Sequence, residues 1–403
     1  MLKKIDSSQL RVGMSIHDLD CGWMEHPFVR ARFVLTSEDE IRKAGIRGVV
    51  IDCAKGLDVD EAPTLAEVQA QTEKEVAAIA AKPVKPVRTS LADEMQRAVG
   101  IRRQAAGLVR TVMQDARLGK AVELDNVSPV VENITESILR NSGALLGLLR
   151  IKTKDDYTFL HSVSVCTLLV AFCRSRGMDE ETIYQAGIGG LLHDTGKALV
   201  PDHILNKAGR LTDEEFAIIK KHPRDGYDIL RQTPEIGQIP LDITLHHHER
   251  RDGSGYPDKQ AEDQISDLAQ MAAIVDVYDA ITSDRCYHKG MPAADALRKI
   301  YEWSKFHFNP ALTQEFMRCV GIYPVGTMVM LESGRLGVVV EPHETNLLTP
   351  KVNVFFNTRS QTYIRPELLD LSRALGFGGG DKIVRHESPE KWRVDPNRFL
   401  LVA

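Results

Sequence analysis

The chain has 403 residues and a formal net charge of −5, with 43% hydrophobic and 27% charged residues. Such a length can hold two or three domains and at least one large core. The negative charge argues against binding of long nucleic acid through a broad basic surface, although a small anionic ligand needs only a local cluster of positive groups.

Cysteine usage and hydropathy indicate a cytoplasmic protein with no membrane partner. The six cysteines are scattered and form no CxxC pair, which is typical of reduced thiols rather than of a disulfide framework. The N-terminal residues MLKKIDSSQL lack the apolar segment of a signal peptide. The most apolar stretch, Val163 to Cys173, is about half the ~20 residues that a membrane span requires, so it predicts a buried helix.

Residues 1–62 predict a small α/β domain. Apolar runs at 33–35 and 49–51 indicate strands, and residues 38–44 indicate a short helix. No chemical motif stands out in this domain, and the acidic pattern of a response regulator is missing. We therefore expect the domain to sense a signal or to dimerise.

A linker and a helical domain follow. Residues 63–98 combine a segment rich in the helix formers Ala, Glu, Gln and Lys with the proline-containing run 82–87, which is expected to be extended. From 99 to 321 the pattern is helical almost throughout. There Thr212–Glu215 is a capping box that opens a helix expected to run through His222.

The last part of the chain, residues 322–403, predicts a β-rich extension. A hairpin is predicted over 328–340 and a third strand over 352–356. The glycine-rich and then charged tail after Leu371 is expected to be partly disordered. The fold class is therefore mainly α, with a small α/β domain before the helices and a short β-rich segment after them.

Histidine and aspartate recur in order through the helical domain. His193 and Asp194 follow an apolar helical run, and Asp276 lies among aliphatic neighbours in a second apolar helix, where a charge is costly unless it is paired or metal-bound. The remaining members of the series are His161, His222, His247 and His248. Imidazole and carboxylate ligands suit iron, manganese, nickel or zinc, while the lack of cysteine in the set argues against a structural zinc site.

Taken singly, each of these residues has a simpler interpretation. A buried histidine or aspartate in a helix is more often structural than a ligand, and the run 246–248 has about even odds of being a solvated surface run. The isolated pair His17 and Asp18 reads as surface. The ordered series within one helical domain is what favours a binuclear metal centre.

The motifs around these residues resemble the HD-GYP family of the HD superfamily of metal phosphohydrolases, whose catalytic domain is a helical bundle. The resemblance covers about residues 100–320 and rests on the runs HSVSV (161–165), HDTGK (193–197), KHPRDGYDIL (221–230), HHHERRDGSGYP (246–257) and DVYDAITSDRCYH (276–288). The N-terminal unit resembles a domain of unknown function that precedes HD-GYP in some members. The β-rich segment resembles a C-terminal extension of the family.

The resemblance implies two divalent transition metals, with iron, manganese or nickel expected. The implied ligands of one metal are His161, His193, Asp194 and Asp276, and the second metal would share Asp194 and take His222, His247 and His248. His246 is assigned to packing or to support of the ligands. Some members hold a third metal with a glutamate one turn before the first histidine, and Tyr157 at that position predicts two metals here.

The same resemblance implies second-messenger signalling through hydrolysis of cyclic di-GMP to linear pGpG by a metal-bridging hydroxide, with onward hydrolysis to GMP left open. Asp194 and Lys197 are the expected catalytic residues, and Lys197 would reach the scissile phosphate. A surface salt bridge is the alternative role of this lysine.

Further substrate contacts are implied after the Asp276 helix. Arg285 corresponds to a family arginine that binds phosphate, a task suited to the bidentate guanidinium. Tyr287 is expected to line the guanine or ribose pocket. A second basic residue of some members is His288 here, and Lys289 is the expected substitute.

The signature loop spans residues 252–257. Gly253 and Gly255 permit a tight backbone in close approach, and Pro257 stiffens the exit of the loop after Tyr256. We expect the loop to shape the pocket or to dock a GGDEF-type diguanylate cyclase. A purely structural turn is compatible with either role.

Three functions stay open. The first is a cyclic di-GMP phosphodiesterase, the second an HD phosphohydrolase for another cyclic dinucleotide, and the third a module that senses cyclic di-GMP or docks a cyclase. Complete ligands favour the first, because degenerate ligands would have indicated the third. Oxygen chemistry at a diiron site is disfavoured by Lys197 and Arg285. The sequence leaves a homodimer open.

Overall fold

The computed structural model describes residues 1–19, 32–37, 46–80, 89–149, 157–207, 209, 211–283, 290–343, 346–373 and 380–400. The chain divides into two compact units, Met1–Ala77 and Ala78–Ala403. The helix predicted over 38–44 and the extended run predicted over 82–87 lie outside the described residues.

The first unit contains a four-stranded antiparallel sheet. Its strands are β1 (Leu2–Asp6), β2 (Ser15–Leu19), β3 (Phe33–Val34) and β4 (Gly48–Asp52), in the order β1-β4-β2-β3. Alternate apolar residues such as Ile16, Val49 and Ile51 are fully buried and build the core of this unit. The two strands predicted from apolar runs are confirmed.

Helix α1 (Leu65–Ala80) follows the sheet, as predicted from its composition. It begins at a reciprocal cap in which the backbone N–H of Glu67 donates to Thr64 Oγ1 and the Thr64 N–H donates to the Glu67 carboxylate, at 3.2 and 2.9 Å.

The second unit is built largely from helices. They are α2 (Leu91–Arg117), α3 (Leu124–Leu149), α4 (Tyr157–Arg176), α5 (Glu180–Leu192), α6 (Asp202–Leu205), α7 (Asp213–Ile219), α8 (His222–Leu230), α9 (Gln238–His246), α10 (Asp267–Thr282), α11 (Ala293–Trp303) and α12 (Pro310–Val320). A 3-10 turn, Thr195–Leu199, separates α5 from α6. No described helix has the length and apolar character needed to cross a membrane.

Helix α4 is the centre of this unit. Every residue from Leu160 to Cys173 is buried, and α4 contacts α2, α3, α5, α10 and α12. A helix that is apolar on all sides is expected to be surrounded by other helices, and the buried helix predicted over Val163–Cys173 is this one. Because His161 lies within α4, it is held in the interior of the bundle.

Helices α7 and α8 correct one expectation. The predicted capping box is present, with the Glu215 N–H donating to Thr212 Oγ1 at 3.2 Å, but α7 ends at Ile219 and α8 begins at His222. Pro223 explains the break, because proline has no N–H to donate to the carbonyl four residues earlier, that of Ile219, and is tolerated in the first turn of a helix. His222 therefore opens a helix instead of lying inside one.

The C-terminal part forms a five-stranded antiparallel sheet. Its strands are β5 (Met328–Leu331), β6 (Arg335–Glu341), β7 (Lys351–Asn357), β8 (Thr362–Asp370) and β9 (Ile383–His386), in the order β8-β7-β6-β5-β9. The predicted hairpin and third strand are β5, β6 and β7. Both faces carry buried apolar clusters.

The tail contradicts the expectation of disorder over residues 380–400. Strand β9 pairs with β5 and forms one edge of the sheet, and the short helix α13 (Pro389–Trp392) follows it. Phe399 stacks on Phe355 with ring centroids 4.0 Å apart, and Val394 and Leu400 are buried in the same cluster. The tail is thus held by strand pairing and by apolar packing, neither of which is visible in its charged composition.

Candidate metal centre

The seven residues expected to bind metal lie together inside the second unit. His161 comes from α4, His193 and Asp194 follow the last residue of α5, and Asp276 comes from α10. His222 opens α8, and His247 and His248 follow α9. Their potential ligand atoms form three overlapping groups, each within 4.8 Å: His222 with His247 and His248, His161 with His193 and Asp276, and His193 with Asp194 and His247.

One oxygen of Asp194 faces the first half of the cluster. Asp194 Oδ2 lies 3.3 Å from His193 Nε2 and 3.6 Å from His161 Nε2. Asp276 Oδ1 lies on the same side, 2.9 Å from His161 Nε2 and 3.7 Å from His193 Nε2. Two imidazoles and two carboxylates therefore converge on one small volume.

The other oxygen of Asp194 faces the second half. Asp194 Oδ1 lies 3.4 Å from His222 Nε2 and 3.9 Å from His247 Nε2, and these two nitrogens are 3.3 Å apart. His248 Nδ1 lies 3.9 Å from Asp276 Oδ2. A carboxylate whose two oxygens point at different histidine groups has the orientation of a bridge between two metal ions.

Backbone carbonyls orient three of the imidazoles. The Nδ1 atoms of His193, His222 and His247 lie 2.9, 2.7 and 2.9 Å from the carbonyl oxygens of Gly190, Ile219 and Thr244. A carbonyl only accepts, so Nδ1 carries the proton and donates it. In the neutral ring the lone pair is then on Nε2, which is the atom that faces the cluster.

Asp279 is a site residue that the sequence analysis missed. Its Oδ2 lies 2.6 Å from Nδ1 of His161, and its side chain is buried. Asp276 and Asp279 lie three residues apart on α10 and therefore on one face of it. The signal in the sequence was this spacing of two aspartates in an otherwise apolar helix.

Both carboxylates at the centre stay ionised. Burial alone would raise the pKa of Asp194, but the charges of His193 and Lys197 outweigh burial and hold the pKa well below its usual range. Burial likewise opposes ionisation of Asp276, and its contacts with His161 and His193 hold its pKa well below the usual range. The centre therefore offers two anionic ligands at neutral pH.

The imidazoles differ in the direction of their pKa shifts. Burial lowers the pKa of His247 to about 4 and lowers the pKa values of His222 and His248 well below their usual range. For His193 burial is outweighed by the charges of Asp194 and Asp276, which raise its pKa to about 10. Because a metal and a proton compete for the same nitrogen, the carboxylates that attract this proton would equally attract a divalent cation.

Two buried atoms show that the residues fit a metal. Within the described part of the chain, His193 Nε2 and Asp194 Oδ1 are buried and make no hydrogen bond. Buried polar atoms of this kind are rare because they lose their contact with water without a replacement. Both atoms point into the cluster, and an oxygen and nitrogen set of this composition suits iron, manganese or nickel.

Lys197 lies at the edge of the cluster. Its Nζ is 2.6 Å from Asp194 Oδ2, and its side chain is 21% exposed, so the ammonium reaches both the buried carboxylate and solvent. It is carried by the 3-10 turn, which approaches α8 closely because residue 196 is glycine. A Cβ there would overlap the carbonyl oxygen of His222 and the backbone nitrogen of Gly226.

The signature loop packs against His248. The Tyr256 ring stacks on the His248 ring with centroids 4.7 Å apart, and the Tyr256 N–H donates to the His248 carbonyl at 3.2 Å. A Cβ at Gly255 would overlap the backbone of Glu249 and Arg250, so this position requires glycine. Two further residues of this loop were singled out from the sequence. Gly253 adopts a φ of +73°, and Pro257 is the last residue of the loop.

The structure places His246 outside the cluster. Its Nδ1 lies 2.7 Å from Asp242 Oδ1, and its Nε2 lies 3.1 Å from the amide nitrogen of Gln260. Tyr157 is the first residue of α4, four before His161, and its side chain is outside the described residues. Arg285, Tyr287, His288 and Lys289 also lie outside the described residues.

Comparison with known proteins gives matches to both units. A model of the HD domain matches residues 144–312, and a model named Domain of unknown function (DUF3391) matches residues 2–127. The chain is 44% identical over 402 residues to the cyclic di-GMP phosphodiesterase PA4108 of Pseudomonas aeruginosa. The alignment covers 97% of this chain and 94% of that protein.

More distant relatives cover less of the chain. The cyclic di-GMP phosphodiesterase response regulator RpfG of Xanthomonas campestris is 32% identical over 256 residues, which is 62% of this chain and 63% of that protein. The 3'3'-cGAMP-specific phosphodiesterase 2 of Vibrio cholerae is 37% identical over 124 residues, which is 30% of this chain and 24% of that protein. Among solved structures, the HDG"Y"P protein Bd1817 of Bdellovibrio bacteriovorus has a TM-score of 0.47 at 19% identity, covering 78% of this chain and 98% of that chain.

The helical bundle with a histidine and aspartate cluster at its centre defines an HD-domain phosphohydrolase, a class of enzyme that uses divalent metals. Within that class the chain belongs to the HD-GYP family, and it carries the N-terminal DUF3391 domain.

Proposed function

We propose that the chain is a metal-dependent phosphodiesterase that hydrolyses cyclic di-GMP to linear pGpG. The observation that carries the proposal is the position of Asp194, whose two oxygens face two histidine groups while Lys197 contacts one of them at 2.6 Å. Support for the substrate comes from the relative that is 44% identical over nearly the whole chain and is named a cyclic di-GMP phosphodiesterase.

The centre would hold two divalent transition metals. The first ion would be bound by His161, His193, Asp194 and Asp276, and the second by Asp194, His222, His247 and His248. Such a pair supplies a water molecule of lowered pKa and positive charge next to the phosphoryl oxygens. Iron, manganese and nickel all suit these ligands, and availability of the metal selects among them.

Lys197 would bind the scissile phosphate. Its ammonium is held by Asp194 at one side and reaches solvent at the other, so a phosphate that enters the centre meets a fixed positive charge. A donor held in place before the reaction stabilises the charge that develops on the phosphoryl oxygens without a cost of reorganisation. Asp194 would thus both bridge the metals and position the lysine.

The residues around the centre would recognise the rest of the dinucleotide. The Tyr256 ring, stacked on His248, offers an aromatic surface for a guanine base. We assign Arg285, Tyr287 and Lys289 to substrate binding by their place in the family motif. The signature loop with Gly253, Gly255 and Pro257 would also be the docking surface for a GGDEF-type diguanylate cyclase.

We assign residues 99–321 to the catalytic domain and 1–62 to a regulatory domain that senses a signal or forms a homodimer. Residues 63–98 would connect the two domains, and 322–403 would form the extension. The scattered cysteines favour action in the cytoplasm.

The test is a substrate panel on the purified full chain loaded with iron, manganese or nickel. Cyclic di-GMP, 3'3'-cGAMP and cyclic di-AMP are incubated separately, and the products are separated by chromatography. We expect cyclic di-GMP to be opened first and to give pGpG, with a later GMP peak if hydrolysis continues. The His193→Ala, Asp194→Ala double variant is expected to be inactive.

Intact cyclic di-GMP with two metals bound would contradict the proposal. Preference for 3'3'-cGAMP would favour the alternative substrate instead, which is the activity named for one Vibrio cholerae relative. A chain that binds cyclic di-GMP without opening it would be a sensing or docking module.

A further inference from the structure

A cavity of about 370 Å³ lies in the second unit, apart from the groups that would bind metal. Its walls come from the second half of α3, from α4, from the end of α10 and from the region of β6. Ligand pockets in proteins typically measure ~300 to 1,000 Å³, whereas one water molecule occupies about 30 Å³. The cavity therefore has the size of a small-molecule site.

A break in α3 creates this space. Asn141 has non-helical backbone angles (φ −159°, ψ 100°), and its side chain holds the break by donating to the Thr89 carbonyl at 2.8 Å and accepting from the Gly143 N–H at 3.0 Å. After the break, Gly143 and Gly147 line the cavity, where larger side chains would fill it. Protein interiors are normally close-packed, so the cavity exists because glycine occupies these two positions.

The lining selects an uncharged ligand. Among the described lining residues there is no lysine, arginine or histidine, and the two carboxylates are both engaged: Asp279 with His161 at 2.6 Å, and Glu341 with Lys351 at 2.9 Å. Apolar side chains such as Leu146 and Leu168 form about half of the lining, and polar side chains such as Ser142 and Thr282 lie among them. Among the described lining residues a dianionic dinucleotide would meet two carboxylates and no cation.

We propose that this cavity is a binding site for a small, uncharged, mainly apolar molecule that carries one or two hydrogen-bonding groups. Asp279 connects the site to the metal centre, because it lines the cavity and its Oδ2 contacts His161. A ligand that moves Asp279 changes the orientation of His161, and so occupancy of the cavity alters the affinity for metal. The binding site itself does not depend on the proposed substrate.

Binding is tested with the neutral fluorophore Nile red added to the full chain. We expect saturable one-site binding to the natural chain and at least a tenfold weaker affinity in Gly147→Leu, which would project a side chain into the cavity from a position where a Cβ makes only ordinary contact with Val325. Gly100→Leu is the matched control, because a Cβ at this helical glycine meets nothing within 4 Å. Equal affinity in all three proteins, or no saturable binding, would overturn the proposal.

A second variant covers the case in which Gly147→Leu does not fold, which circular dichroism would report. Ser142→Trp fills the cavity from a partly exposed helical position and is expected to weaken Nile red binding as well. Coupling to the metal centre is measured by titrating manganese with and without saturating Nile red. A change in affinity of threefold or more supports the connection through Asp279, and identical curves contradict it.

Discussion

The Nζ of Lys197 lies 2.6 Å from Oδ2 of Asp194, three residues earlier in the chain. This contact places a fixed cation beside a carboxylate whose two oxygens face different histidine groups, so the groups proposed for metal binding and for phosphate binding share one residue.

The first prediction concerns Lys197→Met. We expect kcat on cyclic di-GMP to fall by about 10²- to 10³-fold, the usual effect of removing one preorganised donor, while the metal content stays at that of the natural chain. Metal analysis and steady-state kinetics on the same preparation measure both quantities. Lys207→Met is the matched control, because it removes a lysine in an equally short contact, 2.6 Å to Glu215, away from the cluster. Full activity in Lys197→Met would show that this lysine only forms a salt bridge.

The second prediction concerns Asp279→Asn. This change keeps the size of the side chain but removes the charge that fixes the proton on His161 Nδ1, and we expect metal affinity to fall by about 10- to 100-fold. A competition titration with a fluorescent chelator measures the affinity without reference to turnover. Asp242→Asn removes the same kind of contact, 2.7 Å to Nδ1 of His246, from a histidine outside the cluster. Equal metal affinity in both variants would contradict the role of Asp279.

The third prediction concerns Gly196→Ala. The new methyl group would overlap the His222 carbonyl, which forces the 3-10 turn away from α8. We expect a loss of about 1 to 3 kcal/mol in the free energy of unfolding, measured by urea denaturation, and weaker metal binding. Gly107→Ala has free space for its methyl group on α2, and it is expected to be neutral or to stabilise by up to about 1 kcal/mol. If Gly196→Ala matches this control, the close approach does not constrain the site.

The fourth prediction concerns pH and the ion pair between the buried Glu94 and the partly exposed Arg140. Burial would raise the pKa of Glu94, but hydrogen bonds from Arg140, at 2.7 and 3.0 Å, and the charge of this arginine outweigh burial and hold the pKa below its usual range. A lowered pKa in the folded chain means that the pair stabilises fully above the unfolded pKa, near about 4.3, and loses this effect as the pH falls through the folded pKa.

Glu94→Gln is therefore expected to lower the free energy of unfolding by about 1 to 3 kcal/mol at neutral pH, with a difference from the natural chain that shrinks in acid. Urea denaturation of metal-free protein at several pH values measures this. Glu136→Gln is the control, because Glu136 is the exposed partner of the same arginine, and it should cost less than about 1 kcal/mol. A constant difference at all pH values would contradict the assignment.

The ligand series was readable in the sequence because metal chemistry restricts residue types so strongly. Histidine and aspartate at ordered positions of apolar helices have few alternative explanations, and the structure brings all seven together. The order of the elements was readable for a similar reason, since apolar periodicity and caps such as Thr212 are local signals.

What the sequence did not reveal depends on contacts between distant residues. Asp279 and His161 are 118 residues apart, and Glu94 and Arg140 are 46 residues apart. No local sequence pattern therefore predicts either pair. The pairing of β9 with β5 has the same character, because a charged tail is held through a partner strand more than fifty residues earlier. The division between α7 and α8 was missed although Pro223 was visible, because the apolar pattern continued across it.

The proposed function requires one cluster to bind two metals across Asp194. The most direct measurement is anomalous diffraction from crystals of the manganese-loaded chain, collected near and away from the manganese absorption edge. We expect two anomalous peaks on opposite sides of the Asp194 carboxylate, one near His161 and His193 and the other near His222 and His247. A single peak, a third peak near Tyr157, or peaks that lie away from Asp194 would contradict it.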